Sequence, residues 1–177
     1  MQKTNFRKAG VILAVMVLAG LVLVGAGAAH DDHDALTWTE WTSADSLPDT
    51  AGNYCLTGDV TLSSTWHPKD GTNLCLDGHT VTKTGSGSVI YIDAGVSFGL
   101  YDCGTASTVT GGNVVYENDG CGVFVEDNGI FTMNGGTVSG NTAPKYGGGV
   151  LLEHGALFTM NDGTISGCSP DAVYICD

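Results

Sequence analysis

Two glutamates, Glu126 and Glu153, each follow an apolar pair and lie 27 residues apart in matching surroundings. Carboxylates brought together by a repeat could bind a hard cation such as Ca²⁺, which takes oxygen ligands. The alternative is two solvated acids diverging into water. Asn134 and Asn161 close two identical Phe-Thr-Met-Asn runs, and Asp77 ends the related Leu-Cys-Leu-Asp run. Side-chain amides at repeated turn positions can bond along a stack, so the three are expected to form a structural ladder. Six cysteines (55, 75, 103, 121, 168 and 176) follow the N-terminal apolar stretch. No Cys-x-x-Cys occurs and no histidine pair accompanies them, so zinc is not indicated. An even count in an exported chain permits disulfides.

Catalytic constellations are not evident, and the catalytic set is expected to be empty. A lyase of the pectate type needs a basic residue to take a proton, usually Arg, and the chain has no Arg after Arg7. A glycosidase needs two carboxylates converging across about 5–9.5 Å, whereas the acids here are spread through turns. Gly95-Val-Ser97-Phe-Gly99 has the letters of a Gly-x-Ser-x-Gly motif, but no helical segment follows to make an elbow and no Ser/His/Asp set emerges. His79 and His154 read as isolated. His30 and His33 fall in a short His-Asp-Asp-His-Asp tract that reads as a solvated leader. Trp38, Trp41 and Trp66 could stack on sugar rings, but Trp38 and Trp41 are better placed to cover an open apolar end.

The elements that position these groups come from internal repetition. Residues 122–141 align without gaps to 149–168, with 11 of 20 positions identical. Tyr54-Cys-Leu-Thr-Gly58 resembles Leu74-Cys-Leu-Asp-Gly78, and Phe98-Gly-Leu100 resembles Phe131-Thr-Met133. One column then reads Leu56, Leu76, Leu100, Met133 and Met160, at spacings of 20, 24, 33 and 27. A second holds Val81, Val109, Val138 and Ile165. Within each unit the period is two, with Phe131 and Met133 on one face and Thr132 and Asn134 on the other. Short strands, glycine-rich turns and this spacing predict a right-handed parallel β-helix of about five coils. Cys55 and Cys75 then sit beside each other on adjacent coils, facing outward, and are expected to form a disulfide. The 27 Gly among 177 residues exclude a helical bundle, where each interior Gly costs about 1 kcal/mol.

The first 29 residues read as a signal peptide. Lys3, Arg7 and Lys8 precede an apolar run from Val11 to Val24, and the small residues Gly25 to Ala29 suit cleavage. The alternative is a retained anchor, so contact with membrane is expected through this segment alone. Residues 30–50 form an acidic leader and N-terminal cap, and 51–177 the β-helix. From His30 onward three Lys stand against all 19 acids, a net −16 that repels phosphate backbones and argues against nucleic acid. Ala172-Val-Tyr-Ile175 begins another coil that the chain does not finish. Either the natural product is longer, or the open end there is expected to dock on another molecule, a second copy included.

Gly147-Gly-Gly-Val150 and the Phe-Thr-Met-Asn runs at 131–134 and 158–161 resemble the paired motifs of polymorphic-outer-membrane-protein-type repeats. Gly149 stands where that motif usually has Ala. The resemblance spans residues 54 to 175 and implies a secreted or cell-surface adhesin-like role with no carried-over catalytic residue. Its expected partner is a host or cell-surface glycan or protein, with no cofactor beyond Ca²⁺. The alternative is a carbohydrate-active β-helix, either a lyase or glycosidase or a glycan-binding module.

Overall fold

The structure, a computed structural model, describes residues 36–113 and 120–176. The proposed signal peptide, His30 and His33 lie outside the described residues. Every regular element among the described residues is a strand: β1 (Thr39–Trp41), β2 (Asn53–Leu56), β3 (Val60–Leu62), β4 (Thr72–Cys75), β5 (Thr80–Lys83), β6 (Ile90–Ile92), β7 (Ser97–Tyr101), β8 (Thr108–Thr110), β9 (Val123–Val125), β10 (Ile130–Ser139), β11 (Val150–Leu152), β12 (Leu157–Ser166) and β13 (Val173–Ile175). All the paired strands run parallel. No helix among the described residues is long and apolar enough to cross a membrane.

The strands form a strongly curled sheet in the order β1-β2-β4-β7-β10-β8-β5-β3, with β12 on β10, and a second sheet in the order β13-β11-β9-β6. The curl comes from β10, which pairs with β7 through Ile130–Met133 and with β8 through Thr137–Val138. Register shifts on either side of Asn134, and Gly136 at φ 83°, turn the chain between these halves. Strands a full repeat apart therefore stack, as in a β-solenoid.

Side-chain alternation makes each stack an apolar column. Val60, Val81, Val109, Val138 and Ile165 are successive partners, which extends the expected β-branched column by one residue. Phe98, Phe131 and Phe158 stack with ring centroids 6.0 and 5.1 Å apart. The Leu/Met column needs correction. Leu100 pairs with Leu74, not Leu76, and continues to Met133 and Met160. Leu74 and Val81 are seven residues apart, whereas Met133 and Val138 are five apart. The early corner therefore holds two extra residues in its Asp77-Gly78 turn (φ 47° and 85°). A slip of two keeps every side chain on its face, and Leu74, Leu76, Leu100 and Met133 are all fully buried.

β1 lies within the expected leader and already pairs with β2. Trp41 and Leu47 pack on the N-terminal end of the core, and the Trp41 indole donates to the Ser46 carbonyl at 2.7 Å. Trp66 is a core residue, buried and donating to the Pro48 carbonyl at 2.8 Å, which removes it from sugar stacking. At the other end, β12 and β13 leave Leu157, Met160 and Ile175 exposed. Gly149 has a steric reason: a Cβ there would lie 2.1 Å from the Ala172 carbonyl oxygen.

Candidate binding face

The outer face of β4, β7 and β10 carries a shallow groove of about 190 Å³. The pleat sends alternate residues outward. Asn73, Gly99 and Thr132 form one outward column, and Cys75 and Tyr101 pair in the next. Gly99 is the floor. A Cβ on it would lie 2.2 Å from Asn73 Oδ1 and 2.8 Å from Tyr101 Cε2, so both side chains lean into space that only glycine leaves. Ser97 and Ile130 complete the walls. Small-molecule pockets usually measure about 300–1,000 Å³, so this groove suits one ring of a longer ligand.

The walls are preorganised by their neighbours. Asn73 Nδ2 donates to Asn53 Oδ1 at 2.8 Å, and Asn53 Nδ2 donates to the Thr37 carbonyl at 3.3 Å. Ser97 donates from its N–H and Oγ to Asp70 Oδ1, at 2.9 and 2.7 Å. These bonds hold the Asp70 carboxyl below its ordinary range. Tyr101 meets Trp38 edge to face at 5.3 Å, and burial raises its phenol pKa. Trp38 thus lies on the outer face and not over the end of the stack. Gly99, Asn73 and Tyr101 were not singled out from sequence; the available signal was a glycine between two inward apolar residues.

Asn161 Nδ2 donates to Asn134 Oδ1 at 2.7 Å, so these two form an amide pair along the stack. Asp77 does not stand over them. β7 lies between β4 and β10 in the sheet, and Asp77 lies in the corner turn after β4 beside Cys55 and Cys103.

Glu126 and Glu153 occupy equivalent positions on stacked layers, but their carboxylates take different partners. Glu126 Oε2 accepts the Ala94 N–H of the layer below at 3.2 Å. Glu153 groups instead with Asp127 and His154, whose ligand atoms lie within 4.8 Å of one another. His154 Nδ1 is 3.8 Å from Glu153 Oε2 and 3.9 Å from Asp127 Oδ1, so this histidine is not isolated. Two carboxylates and an imidazole supply only part of the six to eight oxygens Ca²⁺ takes, so carbonyls or waters would have to complete such a site.

All six cysteines are thiols. Cys55 and Cys75 are direct partners across β2 and β4, as expected from the repeat. Cys75 has a second thiol neighbour that the sequence reading missed: Cys103 Sγ lies 3.2 Å from Cys75 Sγ. The hydrogen bond with Cys75, burial and the nearby Asp77 charge push the Cys55 thiol up. Burial, with the negative charges around it, pushes Cys103 up to about 11.

Compared with known proteins, the chain matches no family model, no curated protein and no solved structure.

Proposed function

We propose that the protein is a non-enzymatic, exported, adhesin-like scaffold built as a right-handed β-helix of about five coils. On this reading it presents the Gly99 groove to a neutral glycan at a host or cell surface. One observation carries the reading: amide, hydroxyl, aliphatic and aromatic groups line the groove, without a carboxylate, imidazole or ammonium among them. Such a lining supplies hydrogen bonds and an aromatic wall but no group to transfer a proton near neutral pH. The chain's charge of −13 favours a neutral ligand over an acidic one.

An array of neutral and uronic-acid oligosaccharides tests this on the full chain. Binding is expected among the neutral members. Tyr101→Ala should weaken it by up to about tenfold, the loss of an aromatic contact worth roughly 0.5–1.5 kcal/mol. Gly99→Ala should abolish binding with a smaller change in Tm, because the atoms nearest its Cβ belong to the Asn73 and Tyr101 side chains. Release of new reducing or unsaturated ends would favour the carbohydrate-active alternative instead.

The same scaffold reading includes self-association through the layer of β12 and β13. Leu157 is 60% and Ile175 61% exposed there, beside unpaired strand backbone. Salt screens the acidic repulsion between copies. Sedimentation should show the mean mass rising with salt, and Met160→Lys should suppress the rise. A single monomer mass at every salt concentration would count against this interface.

A further inference from the structure

We propose that Cys75 and Cys103 are a disulfide-forming pair that staples the 102–107 loop to the outer face of β4, leaving Cys55 as a thiol. The inference is independent of what the groove binds.

Geometry separates the two possible partners of Cys75. Cys55 and Cys75 are directly opposed on parallel strands. Their Cα–Cβ bonds point the same way, which keeps the Cβ atoms near the strand spacing of about 4.7–4.9 Å. A disulfide needs Cβ atoms about 3.5–4.5 Å apart. Closing this pair would pinch the sheet. Cys103 follows the end of β7 and escapes the pleat, and its Sγ already lies 3.2 Å from that of Cys75.

The loop that carries Cys103 is built to stay there. Asp102 Oδ1 accepts from the N–H groups of Gly78 (3.2 Å) and Gly104 (3.0 Å) and from Ser107 Oγ (2.6 Å). Ser107 Oγ in turn accepts from the Gly78 N–H at 2.8 Å. Gly104 approaches Gly78 so closely that a Cβ on it would lie 2.1 Å from the Gly78 nitrogen. The thiols are therefore held together before any bond forms, so closing the 28-residue span adds little strain to the folded chain.

The oxidant is a small-molecule disulfide. Cys103, half-buried where Cys75 is buried, loses its proton to solvent and attacks one sulfur, giving a mixed disulfide and one small thiol. The Cys75 thiolate then displaces the second small thiol. The net reaction converts two protein thiols and one small disulfide into one protein disulfide and two small thiols. With Cys103 at about 11, about one thiol in a thousand is ionised at pH 8. The rate should rise about tenfold per pH unit below that value.

The full chain is incubated with oxidised glutathione at pH 9, alkylated, digested without reduction and mapped. A Cys75–Cys103 linked peptide with alkylated Cys55 is expected. The linked protein should melt roughly 5–15 °C higher than the reduced one, the range for closing a loop of this length in a domain of this size. Cys55→Ser should form the same link, and Cys103→Ser should leave Cys55 and Cys75 unlinked. A Cys55–Cys75 peptide, alkylation of all three after oxidation, or a bound zinc that shields all three would each overturn the proposal.

Discussion

Met133→Asp is expected to abolish the cooperative thermal transition, while Thr132→Asp lowers Tm by a few degrees. Met133 is fully buried between Leu100 and Met160. A carboxylate there loses its hydration with no partner among Leu, Met and Phe side chains, at a cost of several kcal/mol. Domains of this size are stable by about 5–15 kcal/mol in total. Each layer of a solenoid is held chiefly by its neighbours, so one failed layer also uncouples those on either side. Thr132 is on the same strand, faces the groove and is half-exposed, so its carboxylate stays in water. Circular-dichroism melts of the two variants decide the matter, and equal shifts would refute the assigned facing.

Gly111→Ala is expected to cost roughly 2–5 kcal/mol, combining a left-handed backbone with overpacking. Gly111 has φ 91°, and its Cβ would lie 2.2 Å from the Lys83 carbonyl oxygen and 2.9 Å from the Lys83 nitrogen. Both are backbone atoms and cannot rotate away. Lys83 is itself buried, with its ammonium donating to the carbonyls of Thr84, Gly85 and Ser86, so the segment that must yield is tied down. Gly85→Ala is the control. Gly85 has φ 77° but nothing within 4 Å of the added carbon, so its cost should stay near the conformational 1–2 kcal/mol alone. Urea titration of both variants measures the difference, and a Gly111→Ala midpoint equal to that of Gly85→Ala would show that the close approach carries no energy.

The stacking was legible in the sequence where corner lengths match. The 27-residue offset holds from Val123/Val150 through Met133/Met160 to Val138/Ile165, because both layers turn through the same Asn-x-Gly corner. It slipped by two at Leu74, where the Asp77-Gly78 turn lengthens the corner and a gapless comparison has no means of registering it. The partners of the two glutamates were not legible in the repeat. Glu126 and Glu153 do stack, but Glu126 has an N–H of Ala94 within reach in the layer below, whereas Glu153 lies beside Asp127 and His154.

The period of the repeat, the alternation of Met133 inward and Thr132 outward, and the β-branched column from Val81 to Ile165 were determined by sequence alone. They follow from the two-residue period of a strand, a local property that any short segment displays. Tertiary structure decided which outward residues meet. Cys103 reaches Cys75 because the 102–107 loop folds back on Gly78, and the groove opens because Asn73, Gly99 and Thr132 fall in one column. Those meetings join residues 24 to 33 positions apart. They depend on the length and path of every intervening corner, which local pattern does not encode.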